Sequence, residues 1–130
     1  MQKWDEQARL FLEKAKEDES AIELLARADH PLIGIIGFHA QQSIEKRLKA
    51  LLSYRRLAFP ATHDLDRLMD LLAASGLEIP VNVGDAAILT PYGVHWRYDS
   101  LLRQPPPDDE LMRILQFVQA VRDWTLACMR

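Results

Sequence analysis

The chain of 130 residues weighs 14.9 kDa and carries a formal net charge of −3, which disfavours broad attraction to phosphate backbones. A hydrophobic content of 48% with 27% charged residues excludes a disordered protein, and this length predicts one domain over residues 1–130. No apolar run approaches the roughly 20 residues of a membrane span, which excludes a transmembrane protein. Because the first residues lack a secretory signal pattern and Cys128 is the single cysteine, we expect a cytoplasmic protein.

The first half of the chain predicts two long helices. From Trp4 to about Ala28, apolar residues recur at the three- and four-residue spacing of an amphipathic helix. Pro31 ends this pattern, because proline lacks an amide donor and disfavours helical geometry at the residue before it. A second helix is predicted from about Leu32 to Tyr54. The short turn between the two helices makes them antiparallel.

The second half predicts shorter and more interrupted elements. Thr62 is the predicted N-cap of a third helix that ends before Gly76. Residues 77–100 contain two prolines and two glycines, which predict an irregular segment with one short helix. Prolines at 105–107 precede a final helix over about Asp108 to Ala127. Without any strand-like alternation, the fold class is all-α, a mostly antiparallel bundle of four principal helices.

Several polar side chains fall on the apolar faces of these helices. A projection at about 100° per residue places Gln41 within the apolar arc of the second helix, Glu45 near the edge of that arc, and Asp18 on the apolar arc of the first helix. On the last helix, Arg122 falls beside apolar residues. A buried carboxylate without partners is costly, so Asp18 and Glu45 require cationic or hydrogen-bonding partners.

The partners are expected to come from elsewhere in the bundle. A pair between Glu45 and Lys49 on one helix contributes only about 0.3–0.5 kcal/mol when exposed. The expected partners are therefore His63, Arg97, Arg122 and the hydroxyls of Tyr92 and Tyr98. Two interpretations stay open: a structural network that fixes helix register, or a cleft between the first two helices that receives a ligand or partner.

Three segments follow one another in an order that is typical of a known family. They are FHAQQSIEKRLKALL at residues 38–52, FPATHDLDRLMDLL at 59–72 and AILTPYGVHWRYDS at 87–100. In these segments the chain resembles the HEPN domain family (higher eukaryotes and prokaryotes nucleotide-binding) over about residues 4–127. The resemblance is specific because Gln-Gln-x-x-Glu-Lys-x-x-Lys occurs together with Thr-His-Asp-Leu and Tyr-x-x-x-x-Arg-Tyr.

The resemblance implies a helical bundle that forms a homodimer and accompanies a minimal nucleotidyltransferase in a two-component, toxin–antitoxin-like system. Some members of the family are ribonuclease toxins, and others bind nucleotides or act as non-catalytic companions. No cofactor is required, and a nucleotide is the candidate ligand. The motif positions of the family fall in this sequence on Asp18, Gln41, Gln42, Glu45, Lys46, Lys49, His63, Asp64, Tyr92, Arg97 and Tyr98.

One departure from the family pattern concerns catalysis. The ribonuclease branch carries an Arg followed a few residues later by a His in its later helices, whereas no His follows Arg97 here. Arg56 and His63 match that spacing only across a proline-containing loop, so the match is interpreted as accidental. No metal site is predicted, because paired ligand spacing is missing among His30, His39, His63 and His95.

The leading interpretation is a non-catalytic HEPN binding module that partners a nucleotidyltransferase and holds a nucleotide in a polar cleft between helices. One alternative is a metal-independent ribonuclease acting on RNA, in which His63 is the general acid or base and Arg56 or Arg97 stabilises the transition state. A second alternative is a dimeric scaffold with exposed Trp96 or Trp124 as interface anchors. No interpretation involves a membrane.

Overall fold

The computed structural model describes residues 3–94 and 108–130, which form a bundle of helices without any strand in these two ranges. The predicted all-α class is confirmed, and the four long helices begin and end close to their predicted bounds. None of the described helices is long and apolar enough to cross a membrane. In chain order the elements are α1 (Lys3–Ala26), α2 (Ile33–Tyr54), α3 (Leu65–Ala74), α4 (Val81–Gly84), a 3-10 helix (Asp85–Leu89), α5 (Thr90–Val94) and α6 (Glu110–Cys128).

Helix α2 lies at the centre of the bundle. It packs against α1 along its length and against α3, α5 and α6 on its other sides. Its apolar residues are fully buried at helical spacing, as Ile36, Ala40, Ile44, Leu48 and Leu51 show. Because neighbours surround most of this helix, polar residues on it are drawn into the interior together with the apolar ones. The central position of α2 therefore explains why its polar side chains need partners.

The beginning of α3 differs from the sequence prediction. Asp64 is the N-cap, since its carboxylate accepts the amide N–H of Asp66 at 3.0 Å, and the predicted N-cap at Thr62 is wrong. The Thr62 hydroxyl instead accepts the amide N–H of Asp64 at 3.1 Å and forms the turn before the helix. Gly76 lies just past the end of α3 with a φ of 106°, the left-handed geometry expected for a C-terminal glycine.

Helix α5 approaches α2 closely because a glycine stands at each contact. A Cβ atom on Gly37 would overlap the ring of Tyr92, and a Cβ atom on Gly93 would overlap the side-chain amide of Gln41. The segment that was predicted to hold one short helix contains three short helical pieces within its described part, residues 77–94. Their close packing carries α5 onto the polar part of α2.

Candidate functional site

The partly exposed face of α2 carries a row of four polar side chains, called here the α2 stripe: His39, Gln42, Lys46 and Lys49. Residues at this spacing share one face of a helix, and a rise of 1.5 Å per residue gives the stripe a length of about 15 Å. The side chains are partly exposed, at 28% for His39, 23% for Lys46 and 12% for Lys49. Asp18 of α1 flanks the stripe on one side. Glu45 and His63 flank it on the other.

Asp18 bridges two residues of the stripe. Its Oδ1 lies 2.9 Å from Nδ1 of His39, and its Oδ2 accepts a hydrogen bond from Nζ of Lys46 at 2.7 Å. Asp18 is 8% exposed, as the helical projection predicted for an inward acid. These partners differ from the expected ones. Arg122, one of the expected partners, is exposed on α6. The sequence did not predict His39 as a partner of Asp18.

Glu45 bridges a histidine and a lysine in the same way. Its Oε1 lies 2.8 Å from Nδ1 of His63, and its Oε2 accepts a hydrogen bond from Nζ of Lys49 at 2.9 Å. Burial alone would raise the pKa of Glu45, but hydrogen bonds from Lys49, Gln41 and His63 outweigh it and hold that pKa below its ordinary value. Glu45 therefore stays ionised at neutral pH.

The pair between Glu45 and Lys49 is stronger than the sequence suggested. The two side chains are only 4% and 12% exposed, so the expectation of a weak, solvent-exposed pair is wrong. Water screens a pair in this position much less than it screens a pair on an open helix surface. Lys49 is thus a principal partner of Glu45, together with His63.

Gln41 connects the site to the chain that precedes α3. Its side-chain N–H groups donate to Oε1 of Glu45 at 3.1 Å and to the backbone carbonyl of His63 at 3.0 Å. Its own carbonyl oxygen accepts a hydrogen bond from Gln42 at 2.7 Å. Gln41 is fully buried, so its amide acts inside the protein and fixes the backbone that carries His63.

The two sides of the stripe share one geometry. Each carboxylate contacts one imidazole at Nδ1 and one lysine ammonium group, and each imidazole keeps its Nε2 without a hydrogen bond to the described residues. The ring of His63 is 61% exposed and that of His39 is 28% exposed. A carboxylate at Nδ1 favours the tautomer with its proton on Nδ1, which leaves the lone pair on Nε2. Chemically, such a site can accept a proton at Nε2 and bind an anion.

Two other predicted site residues have bonds that hold the fold. Asp64 acts as the cap of α3. Tyr92 is buried, and its hydroxyl donates to Oε2 of Glu110 at 2.8 Å, which links α5 to the start of α6. The predicted Arg97 and Tyr98 lie outside the described residues.

Arg56 also lies apart from His63. It follows the C-terminus of α2 with a φ of 60°, and its guanidinium group lies 3.6 Å from the carboxylate of Asp5. His63 instead contacts Glu45, which precedes the last residue of α2 by nine positions, or about 14 Å of helix. His63 therefore contacts α2 near the middle of the helix, whereas Arg56 lies beyond its C-terminal end.

A further network behind the stripe was not predicted. Arg47 is 1% exposed and donates from Nε and Nη2 to the two carboxylate oxygens of Glu19, at 2.9 and 2.8 Å. Ser43 donates to the same carboxylate at 2.6 Å. Burial raises the pKa of Glu19, but the bonds from Arg47 and Ser43 and the charges of Arg47 and Arg122 outweigh it, so that pKa is lowered. This network fastens α1 to α2 inside the bundle.

Other polar features of the described residues do not join the stripe. A groove of about 450 Å³ opens between α1 and α6, and no stripe residue lines it. Burial raises the pKa of the Cys128 thiol, partly offset by the charge of Arg55, which disfavours a reactive thiolate. No group of three or more potential ligands that could hold a metal ion occurs within residues 3–94 and 108–130.

Comparison with known proteins places this arrangement in a family context. The model of the HEPN domain matches residues 1–128, a range that includes every residue of the stripe and both flanking carboxylates. No curated protein and no solved structure matches the chain.

Proposed function

The chain belongs to the HEPN domain family, and from this premise we propose that it is a non-catalytic binding module that holds a nucleotide on the α2 stripe. Family membership supports a nucleotide-binding or ribonuclease-like module. The observation that carries the proposal is the stripe itself, a row of partly exposed donors that buried carboxylates hold in place from behind. Donors that are already fixed lose little conformational entropy when a ligand binds, which favours affinity.

Two residues of the stripe are suited to phosphate. An ammonium group has three N–H donors, and Lys46 and Lys49 each use one on a carboxylate, so donors remain for phosphate oxygens. Gln42 lies one turn before Lys46 on the same face and uses one amide N–H on Gln41, which leaves the other for the ligand. In this proposal Asp18 and Glu45 orient the donors and do not contact the nucleotide.

Calorimetric titration with ATP and other nucleotides tests this proposal. Lys46→Gln keeps a donor for Asp18 and removes the charge, so we expect affinity to fall by about ten- to hundredfold, the value of one charge-assisted hydrogen bond. The matched control is Lys14→Gln, because Lys14 is 62% exposed on α1 and lies apart from the stripe. Equal affinities of the two variants, or no heat with any nucleotide, would reject the site.

The protein partner is the second part of the proposal. A minimal nucleotidyltransferase subunit is the proposed companion, and a homodimer is the proposed assembly, both supported by the family resemblance. Light scattering after size-exclusion chromatography measures the mass of the chain alone and after co-expression with the product of the neighbouring reading frame. A nucleotidyltransferase in that frame that co-elutes with the chain supports the two-component system, and a monomeric chain without a complex contradicts it.

One observation favours ribonuclease activity as a second candidate. The carboxylate of Glu45 holds His63 at Nδ1 while the ring is mostly exposed, the arrangement of an oriented general acid or base. Arg56 does not complete this group, because it lies at the far end of α2 beside Asp5. Incubation with structured RNA decides between the two candidates. If the original chain cleaves the RNA and His63→Ala does not, the function is catalysis and not binding alone.

For the scaffold alternative, the described residues bear on one of the two expected anchors, Trp124. Trp124 is half-buried and packs against the core, so it offers little surface to a partner. Trp96 lies outside the described residues. Exposed apolar side chains on α6 are instead Met112, which is 61% exposed, and Leu126, which is 36% exposed.

A further inference from the structure

The α2 stripe and its flanking carboxylates carry no surplus positive charge when both imidazoles are neutral. Lys46 is balanced by Asp18 at 2.7 Å, and Lys49 is balanced by Glu45 at 2.9 Å. A phosphate group is therefore not attracted by net charge unless a lysine leaves its carboxylate or a proton is added. Moving either lysine would leave the charge of a carboxylate of low exposure without a cation, which is costly.

Protonation of the two histidines is the less costly source of positive charge. Histidine ordinarily titrates near pH 6.5, so it gains a proton close to neutral pH when an anion approaches. In both His39 and His63 the nitrogen that has no bond to the described residues is Nε2, and the other nitrogen already lies at a carboxylate. Protonation at Nε2 creates a new donor without breaking the bond at Nδ1.

We propose that the stripe binds a nucleoside polyphosphate with His39 and His63 in the imidazolium form, so that the ligand and protons bind together. This inference rests on the proposed nucleotide site and deepens it. Each imidazolium donates from Nε2 to a phosphate oxygen, beside the lysine that shares its carboxylate. His39 thereby becomes a ligand-binding residue, although the family motif positions do not include it.

The site has two halves of the same composition, which favours a ligand with more than one phosphate. One half consists of Asp18, His39 and Lys46, and the other of Glu45, His63 and Lys49. The two lysines are three residues apart on α2, so their Cβ atoms lie about 5–6 Å apart. A ligand with two or more phosphates can engage both halves, whereas a monophosphate engages one.

The charged groups around each ring are few. His39 faces Asp18 from α1 and Lys46 from its own helix, with the ring of Phe38 edge-on at 5.5 Å. His63 faces Glu45 and Lys49, both from α2. No other carboxylate of the described residues lies within ion-pair distance of either ring. One carboxylate therefore supports each imidazolium, and one lysine opposes it.

Proton uptake is measured by titrating ATP into the whole protein in two buffers of different ionisation enthalpy at about pH 7. The difference in heat gives the number of protons taken up, which we expect to lie between one and two. At pH values where the free protein holds both imidazoles neutral, affinity should weaken by about tenfold per pH unit for each proton. Inorganic tripolyphosphate, which lacks the nucleoside, should take up the same number of protons, and AMP should take up fewer.

Three variants assign the protons to residues. In His39→Asn and His63→Asn the amide keeps a donor for the carboxylate and cannot titrate, so each variant should lose about one proton and the matching part of the pH dependence. Circular dichroism confirms that each variant is folded. The matched control is His30→Asn, because His30 is exposed in the turn between α1 and α2. That variant should bind and take up protons as the original chain does.

The outcomes separate this inference from the proposal on which it rests. ATP binding with the same heat in both buffers would overturn proton coupling and leave the nucleotide site standing. No binding of ATP or tripolyphosphate from about pH 6 to about pH 8 would overturn the nucleotide site and the inference together. Proton uptake that persists in both Asn variants would show that other groups supply the charge and would also overturn the inference.

Discussion

Replacing Glu45 by Gln should destabilise the fold more than any change on the protein surface. Oε1 and Oε2 of Glu45 accept hydrogen bonds from Lys49 at 2.9 Å, His63 at 2.8 Å and Gln41 at 3.1 Å. A Gln side chain keeps the shape, but its NH2 group must face either the ammonium group or the two donors at the other oxygen. Because Glu45 is 3% exposed, water cannot relieve this clash of donors. A loss of about 2–4 kcal/mol in the free energy of unfolding is expected.

The cost of Glu45→Gln should depend on pH in a definite direction. The pKa of Glu45 is lowered in the folded protein, so its charge stabilises the fold above the ordinary value of 4.5. This contribution is lost as the pH falls below 4.5 towards the lowered pKa, where the folded carboxyl also becomes protonated. The difference between the original chain and the variant should therefore be constant near neutral pH and shrink in acid.

Urea unfolding followed by circular dichroism measures both effects, provided that the slope of the transition does not change. Glu23→Gln is the matched control, because Glu23 forms an exposed pair with Arg27 at the same four-residue spacing and is 68% exposed. The control should cost at most about 0.5 kcal/mol. A cost for Glu45→Gln as small as that of the control, or one that grows in acid, would refute the account of a buried ionised network.

Two further predictions concern backbone positions, one next to the site and one past the end of α2. Gly93→Ala should destabilise by about 1–3 kcal/mol and reduce nucleotide affinity, because its Cβ would displace the amide of Gln41. Gly84→Ala serves as its control in the same unfolding assay, since that Cβ meets only a methyl group at 3.8 Å, and it should be neutral or slightly stabilising. Arg56→Gly should stabilise by up to about 1 kcal/mol, because Arg56 has a φ of 60° and its pair with Asp5 is exposed. A loss of stability in that variant would show that the exposed pair outweighs the backbone strain.

The helices were predictable because their signals are local. Helical spacing of apolar residues defined α1, α2 and α6, Pro31 marked the turn between α1 and α2, and Gly76 marked the end of α3. The start of α3 was missed by two residues because Thr62 and Asp64 are both good capping residues. Which of the two caps the helix depends on which backbone N–H of the first turn needs an acceptor. The residue types alone do not determine this.

The site was predictable in its positions but only partly in its partners. The projection found Asp18, Gln41 and Glu45 because each interrupts an apolar face, a property of one helix alone. His39 lies near the edge of that face, seven residues before Lys46, and this spacing is the signal that would have placed it in the stripe. Lys49 was undervalued because its separation from Glu45 was visible but its burial was not. Burial depends on what packs against α2, which spacing within one helix does not contain.

The polar residues were given two possible roles, a structural network and a ligand site, and the burial of each side chain distinguishes the two. Side chains with almost no exposure, such as Gln41, Ser43 and Arg47, bond within the bundle and are positioned to hold it together. The partly exposed residues of the stripe instead keep donors directed away from their carboxylates. Asp18 and Glu45 lie between the two sets and serve both, since each ties a stripe lysine to the interior. Stability and ligand affinity should therefore fall together when either carboxylate is removed.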